Sequence, residues 1–308
     1  MKLNNKQTPT CILCKSTNLK KHHYKPNLFN GRLFYYFLCN DCNSLSIHPL
    51  PTAEDFSKMY GVIDHTYFAE AKSDDSLLEF KYKSLKKYTH HKYEIDYFNK
   101  LIKSFKITSL LDFACGSGFY MQNAINHNIE CVGIEFDKEF SEVIRKKTNL
   151  KVYETKDFIS KYKGQKFDLI HIGHNLEHLL SPAETIKFLK TYAHESTLLV
   201  IDGPLEYNFC LSRMVIEFIS NFSSNKPNNH SPQHLSFTTY KSQLSFLSSC
   251  NVNTVKYCVD EQYFPLPNQV DYKSMMSIFM YSLAKISINV SKLFKKQGNV
   301  FHYIGRYN

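Results

Sequence analysis

The 308-residue chain contains no tryptophan. Its aromatic bulk comes from 24 Phe and 21 Tyr, and a hydrophobic fraction of 43% excludes a disordered chain and allows a substantial core. The opening residues, MKLNNKQTPT, lack the apolar stretch of a secretion signal, so the expected location is the cytoplasm. No apolar run is long enough to span a bilayer; the most apolar late stretch, Met275 to Ala284, runs into Lys285. Without a secretion signal, nine cysteines imply reduced thiols or a metal rather than disulfides. Arginine-rich runs are absent as well, and the lysines are scattered, which argues against a nucleic-acid arm.

The formal charge of +10 is unevenly spread. Residues 1–60 hold eight Lys/Arg against three Asp/Glu, and residues 206–308 hold ten against five. Residues 106–205 hold twelve against thirteen and are near neutral. Basic ends around a neutral centre suit a solvated surface or an anionic small substrate.

Two CxxC pairs open the chain, Cys11-Ile-Leu-Cys14 and Cys39-Asn-Asp-Cys42, with 24 residues between them. Each pair can form a tight knuckle with both thiolates facing one point, and two knuckles make a tetrahedral zinc site. The intervening NGRLFYYFLC reads as a turn and a strand delivering the second knuckle, as in a zinc ribbon. Four thiolates close the coordination sphere, so the expected zinc is structural. His22, His23 and His48 read as surface residues rather than ligands. Beyond Pro49 and Pro51, Thr52 is placed to cap a short helix with Glu54 and Asp55 in its first turn. Apolar residues then recur at helical spacing over 74–104: Leu77, Leu78, Phe80, Leu85, Tyr88, Ile95, Phe98, Leu101 and Ile102.

From Ser109 onward strands alternate with helical patterns, predicting a parallel α/β sheet. The expected strands are 109–113, 131–136, 151–154, 167–172 and 197–201. Ligands on such sheets sit at the carboxyl ends of the strands, near the switch point. The first strand runs into LLDFACGSGFY (110–120), a glycine-rich turn of the kind that cradles a nucleotide. Phe119 and Tyr120 follow Gly118 where a Walker loop needs Lys and Ser/Thr, which excludes that loop. Met121 stands where a dinucleotide fingerprint prefers Gly or Ala, which weakens NAD.

Asp112-Phe-Ala-Cys-Gly116-Ser-Gly118 closely resembles motif I of the class I S-adenosylmethionine-dependent methyltransferases. CVGIEFD, YETKDF, FDLIHIGHNLEHLLSP and QHLSFTTYKSQLSFLSSC resemble later segments of that family in order, and NVFHYIGRY resembles its last strand. The resemblance implies a seven-stranded Rossmann-like methyltransferase sheet, with the small four-cysteine zinc ribbon at its N-terminus and helical insertions. It implies a cofactor site of Asp112, Ala114, Cys115, Gly116, Gly118, Glu135, Phe136, Asp157 and Phe158. Glu135 would meet the ribose hydroxyls, Asp157 the adenine amino group and Phe158 the adenine face. The implied organisation is a ribbon over 1–60, a helical connector over 61–105 and a methyltransferase domain over 106–308. Insertions at about 204–235 and 266–296 would line the acceptor or make a dimer or membrane-surface contact. The ribbon followed by PLPTAEDFSKMYG resembles a bacterial subgroup associated with glycan and small-metabolite pathways.

The groups available to accept a proton from an acceptor are His178, Glu177, His234 and His174, with His178 first because it follows the fourth strand. An Asn-Pro-Pro-type signature is absent after that strand, where GHNLEH stands, which argues against methylation of nucleic-acid bases. The leading expectation is O-methylation of a sugar, glycan or other small metabolite, free or linked to a nucleotide or phosphate. An RNA methyltransferase using the ribbon to bind RNA, and a non-catalytic binding module on the same fold, are the alternatives.

Overall fold

The computed structural model describes residues 8–60, 92–220, 226–263 and 270–308. Leu77, Leu78, Phe80, Leu85 and Tyr88 of the expected connector lie outside them, as do 221–225 and 266–269 of the expected insertions. The chain forms two compact units. One comprises Met1–Pro51, Glu177–Ala183 and Asp202–Tyr303; the other comprises Thr52–Leu176, Glu184–Ile201 and Ile304–Asn308.

The first unit begins with the cysteine-bearing sheet. Its strands are β1 (Leu19–Lys21), β2 (Asn27–Phe29), β3 (Arg32–Cys39) and β4 (Leu45–His48). Asn30 and Gly31, with φ of 50° and 70°, turn the chain from β2 into β3, the left-handed pair a tight hairpin requires. A two-residue strand from far along the chain, β10 (Ser236–Phe237), completes the order β1-β3-β4-β10, and β2 also pairs with β3. With β3 on one side and β10 on the other, β4 is buried at all four positions. That corrects the surface reading of His48, which is 8% exposed, sits edge-on to Phe37 and has its pKa lowered by burial.

The same unit contains α7 (Leu211–Ser220), α8 (Tyr240–Ser249), β11 (Val252–Asp260) and α9 (Met275–Ser291). Thr239 caps α8 through a reciprocal bond with Ser242, and Ser274 caps α9 by accepting from the Ser277 amide. α7 and α9 pack together. Among the described residues no helix is long and apolar enough to cross a membrane.

The second unit opens with α1 (Ala53–Tyr60), whose expected cap is present: Asp55 Oδ2 accepts from both the amide and hydroxyl of Thr52, and the Asp55 amide donates back to Thr52 Oγ1. Next come α2 (Lys92–Ser104), β5 (Ser109–Phe113), α3 (Phe119–Ile125), β6 (Glu130–Ile134) and α4 (Lys138–Thr148). They are followed by β7 (Val152–Tyr153), α5 (Thr155–Lys161), β8 (Phe167–Gly173) and α6 (Pro182–Lys190). With β9 (Ala193–Pro204) and β12 (Val300–Tyr307), which contribute to both units, the seven-stranded order is β11-β12-β9-β8-β5-β6-β7. This is the expected Rossmann-like methyltransferase sheet. β5 lies parallel to both β6 and β8, so its carboxyl end is the switch point.

The core of this unit joins α2, α3 and α4 to the sheet through Phe98, Met121, Ala124, Phe140, Ile144, Leu169 and Val200. Burying each of the larger side chains contributes roughly 1.5–3 kcal/mol. Met121, the residue at odds with a dinucleotide fingerprint, is accommodated from the opposite strand. A Cβ at Gly133 on β6 would lie 2.7 Å from both Met121 Sδ and Cys115 Sγ. The glycine needed for close helix–strand packing thus sits on β6 instead of α3.

Candidate functional site

The turn from β5 into α3 has three left-handed residues within five: Ala114, Gly116 and Gly118, with φ of 55°, 52° and 73°. Glycine is required at 118, where a Cβ would come within 2.4 Å of Leu150 Cδ1. The Gly118 amide closes the turn on Cys115 O at 2.9 Å, and the Cys115 amide ties it to Ile134 O at the end of β6 at 3.0 Å. The Gly116 amide donates to Glu135 Oε2 at 3.2 Å, and Glu135 Oε1 accepts from the Phe136 amide at 3.1 Å. Glu135 therefore presents its carboxylate beside the glycine turn at the end of β6.

Asp112 stands opposite Gly133 on one neighbouring strand and His171 on the other. Its Oδ1 is 2.8 Å from His171 Nδ1, with the two side chains 2% and 0% exposed. Asp112 Oδ2 is buried and makes no hydrogen bond among the described residues. Tyr120 and Phe98 enclose the His171 ring at centroid distances of 4.3 and 5.6 Å. His171 was not foreseen. Its only signal was one polar residue inside the otherwise apolar end of β8.

The second cluster belongs to the first unit and grows from the 3-10 turn Leu176–His178, three residues beyond β8. The Leu235 amide donates to Glu177 O at 2.8 Å, which holds the His234 segment against Glu177. His178 Nδ1 is 3.0 Å from Gln233 O; a carbonyl only accepts, so this nitrogen carries the proton and a neutral ring has its lone pair on Nε2. That Nε2 lies 3.7 Å from Glu177 Oε1, and the His178 and His234 rings meet edge-on at 4.6 Å. His234 Nδ1 is 2.6 Å from Glu206 Oε2, a partner not foreseen from sequence. Burial disfavours charge on His234, but the Glu206 and Glu177 carboxylates outweigh it and take its pKa to about 9. With no metal bound, His234 therefore favours its protonated form near neutral pH.

The four cysteines converge as two matching knuckles. In each, the residue after the second cysteine is left-handed (Lys15, φ 62°; Asn43, φ 59°) and donates its amide to the first cysteine's carbonyl. Cys11 and Cys42 Sγ are 3.6 Å apart and Cys14 and Cys39 Sγ 3.5 Å, all four lying within 4.8 Å of one another. A tetrahedron of about 2.3 Å metal–sulfur bonds has edges of about 3.8 Å, so the donor set fits zinc. The Cys42 thiol donating to Cys11 lowers the Cys11 pKa to about 4, while the same contact pushes Cys42 up.

Residues 67–244 match the family model described as "Methyltransferase domain". The chain belongs to this family. Solved structures similar to it include a SAM dependent methyltransferase from Archaeoglobus fulgidus, 17% identical with a TM-score of 0.45, covering 72% of this chain and 97% of its own. Another is the plantazolicin methyltransferase BamL in complex with a triazolic desmethylPZN analog and SAH, 16% identical with a TM-score of 0.46, covering 82% and 98%. The [4+2]-cyclase SpnF is 10% identical with a TM-score of 0.43, covering 69% and 80%. The comparison with curated proteins finds no match.

On this methyltransferase domain the expected donor-site residues divide. Asp112, Ala114, Gly116, Gly118 and Glu135 gather at the carboxyl ends of β5 and β6. Phe136 is 49% exposed beside the turn, its ring edge-on to Phe113 at 5.2 Å. Cys115 has its side chain in the core, where burial raises the pKa of its thiol. Phe158 is fully buried on α5, stacked on Tyr162 at 5.3 Å and against Tyr192 at 4.9 Å. Asp157 is exposed in the first turn of α5. His174 is exposed and left-handed (φ 47°), belongs to the second unit, and is not among the groups gathered around Glu177.

Proposed function

We propose that this methyltransferase domain transfers a methyl group from S-adenosylmethionine to an oxygen of a sugar, glycan or other small metabolite. The observation that carries the donor half is the buried Oδ2 of Asp112, an unsatisfied acceptor at the switch point. An ammonium or other cationic donor would satisfy it. Glu135 would receive the ribose hydroxyls, with Asp157 available to an adenine amino group. Backbone amides at the start of α3 would meet a carboxylate. When bound, S-adenosylmethionine supplies a methyl on a sulfonium, whose carbon–sulfur bond breaks with its electron pair passing to sulfur.

On the acceptor side, the donor of Gln233 O's hydrogen bond matters most. Because His178 Nδ1 is the protonated nitrogen, Nε2 is the atom that would take the proton as the acceptor oxygen forms its new bond to carbon, an assistance of typically 10²–10⁴-fold. Protonated His234, held by Glu206, would donate a hydrogen bond to the same acceptor. A zinc ion on Cys11, Cys14, Cys39 and Cys42 would be structural.

Isothermal titration with S-adenosylhomocysteine tests the donor half. Binding that is lost in Glu135→Ala supports it; absence of binding to the native protein rejects it. Methyl transfer to candidate acceptors, followed by mass increase, tests the acceptor half.

A further inference from the structure

The cluster around Glu177 has the arrangement of a metal site, independent of the four cysteines. The ligating atoms of Glu177, His178 and His234 all lie within 4.8 Å of one another. In both histidines the other nitrogen is already held by the kind of partner that orients metal-bound imidazoles. His178 Nδ1 faces the Gln233 carbonyl at 3.0 Å, and His234 Nδ1 faces the Glu206 carboxylate at 2.6 Å. These contacts fix each ring so that Nε2 is its remaining lone-pair atom when neutral. Glu177 is 7% exposed, and its Oε2 lies 3.4 Å from where a Cβ at Gly203 would be, so any side chain there would crowd it.

We propose that Glu177, His178 and His234 bind a divalent first-row transition-metal ion, with Glu206 and the Gln233 carbonyl orienting the two rings. Two imidazoles and one carboxylate suit Fe²⁺, Mn²⁺, Co²⁺ or Zn²⁺ and leave coordination positions open. Glu177 and Glu206 bring two negative charges to the site, the balance a divalent cation needs once both rings are neutral. A second trio, His22, His23 and Glu217, lacks this arrangement, because Glu217 is already paired with Arg213 at 3.1 Å.

The inference deepens the proposed function and rests on it for its chemical role. With the ion bound, an oxygen-bearing acceptor at an open position would lose its proton more readily, while the roles proposed above for His178 Nε2 and protonated His234 belong to the metal-free site. A metal and a proton compete for the same lone pairs.

The test is binding of Mn²⁺ alone, without donor or acceptor, followed by the loss of its free electron-paramagnetic-resonance signal, with metal content measured by mass spectrometry. Mn²⁺ is chosen because it avoids thiolate sites. One bound equivalent is expected. Glu177→Gln should weaken it at least 10-fold, and Glu206→Gln, which touches only a ring, by about 10–100-fold. Thermal melting confirms that each variant is folded, and His178→Gln replaces any variant that is not. No Mn²⁺ bound at millimolar concentration, or equal binding in native and variant proteins, overturns the proposal. Titration with S-adenosylhomocysteine on the same samples reports separately on the donor reading.

Discussion

Ser236 pairs with Ser46 across the β10–β4 ladder, and that pairing ties the segment carrying His234 to the sheet that presents the cysteines. The Leu235 carbonyl accepts from the Ile47 amide at 3.1 Å while the Leu235 amide donates to Glu177 O. One residue is thus bonded to β4 on one side and to the Glu177 turn on the other. The cysteine sheet is part of the framework of the Glu177–His178–His234 cluster.

Weakening the cysteine site should therefore reach that cluster. Cys14 is the exposed member, so Cys14→Ser leaves no core cavity. Structural zinc sites contribute on the order of 10–16 kcal/mol in isolated fingers, so loss of the ion should open the sheet. Limited proteolysis within 8–51 should accelerate, and the acceptor KM should rise while S-adenosylhomocysteine affinity stays within about 2-fold, a change of only ~0.4 kcal/mol. Unchanged protease resistance in a zinc-depleted variant would sink the idea. Far-UV circular dichroism is the companion measurement, since the chain has no tryptophan.

Asp112 has two oxygens with two different tasks. Oδ1 holds His171 and Oδ2 is the unsatisfied atom assigned to the donor. Asp112→Ala removes both and leaves a buried His171 nitrogen without its hydrogen-bond partner, which should cost about 1–3 kcal/mol of stability. Asp112→Asn keeps an acceptor for His171 and removes the charge. Its melting temperature should fall less, while S-adenosylhomocysteine affinity drops roughly 10- to 150-fold, the loss of one charge-assisted hydrogen bond. Native-like affinity in a well-folded Asp112→Asn protein would remove Asp112 from the donor site.

The order of strands, the glycine turn and the paired knuckles were legible because each rests on local chemistry. Alternating strand and helix patterns, left-handed glycines and CxxC spacing act within a few residues. What escaped depends on the assembled fold. His171 looks like any core histidine until the β5–β8 register sets it opposite Asp112. Glu206 gains meaning only from a fold that returns His234 to it. The stack of Phe158 on Tyr162 one turn later, and its contact with Tyr192, likewise depend on how α5 packs. A two-residue strand such as β10 carries no periodicity to read, so its pairing with β4 was out of reach.

Gly133 and Met121 offer a test of how the glycine turn is supported. Gly133→Ala would place a Cβ 2.7 Å from Met121 Sδ and Cys115 Sγ, overpacking that should destabilise by about 1–3 kcal/mol. In a Met121→Ala background the same change should cost less by at least ~0.5 kcal/mol, because the flexible thioether is gone. Recovery should be partial, since Cys115 remains. Denaturant unfolding of the four proteins gives the coupling, and strict additivity would show that Met121 and Gly133 do not set each other's packing.

Asp168 predicts an acid-sensitive joint at the other end of β5. Its Oδ2 accepts from the amides and hydroxyls of Thr108 and Ser109 at 2.6–3.2 Å, and Oδ1 faces His194 Nε2 at 3.1 Å. Partial burial opposes the charge, but the Thr108, His194 and Ser109 contacts outweigh it and hold the carboxyl below its usual pKa. A carboxyl lowered in the folded state binds fewer protons there than in the unfolded chain. Its stabilisation is therefore complete above the unfolded value, about pH 4, and is lost as pH falls through the folded value. Asp168→Asn should lower the melting temperature at pH 7. The gap from the native protein should stay constant down to about pH 5 and narrow below about pH 4, as the native carboxyl takes up its proton. His194 is the other titratable group facing Asp168, so His194→Gln serves as the control. A gap that persists unchanged at pH 3 would show that the carboxylate charge is not what holds the Thr108–Ser109 corner.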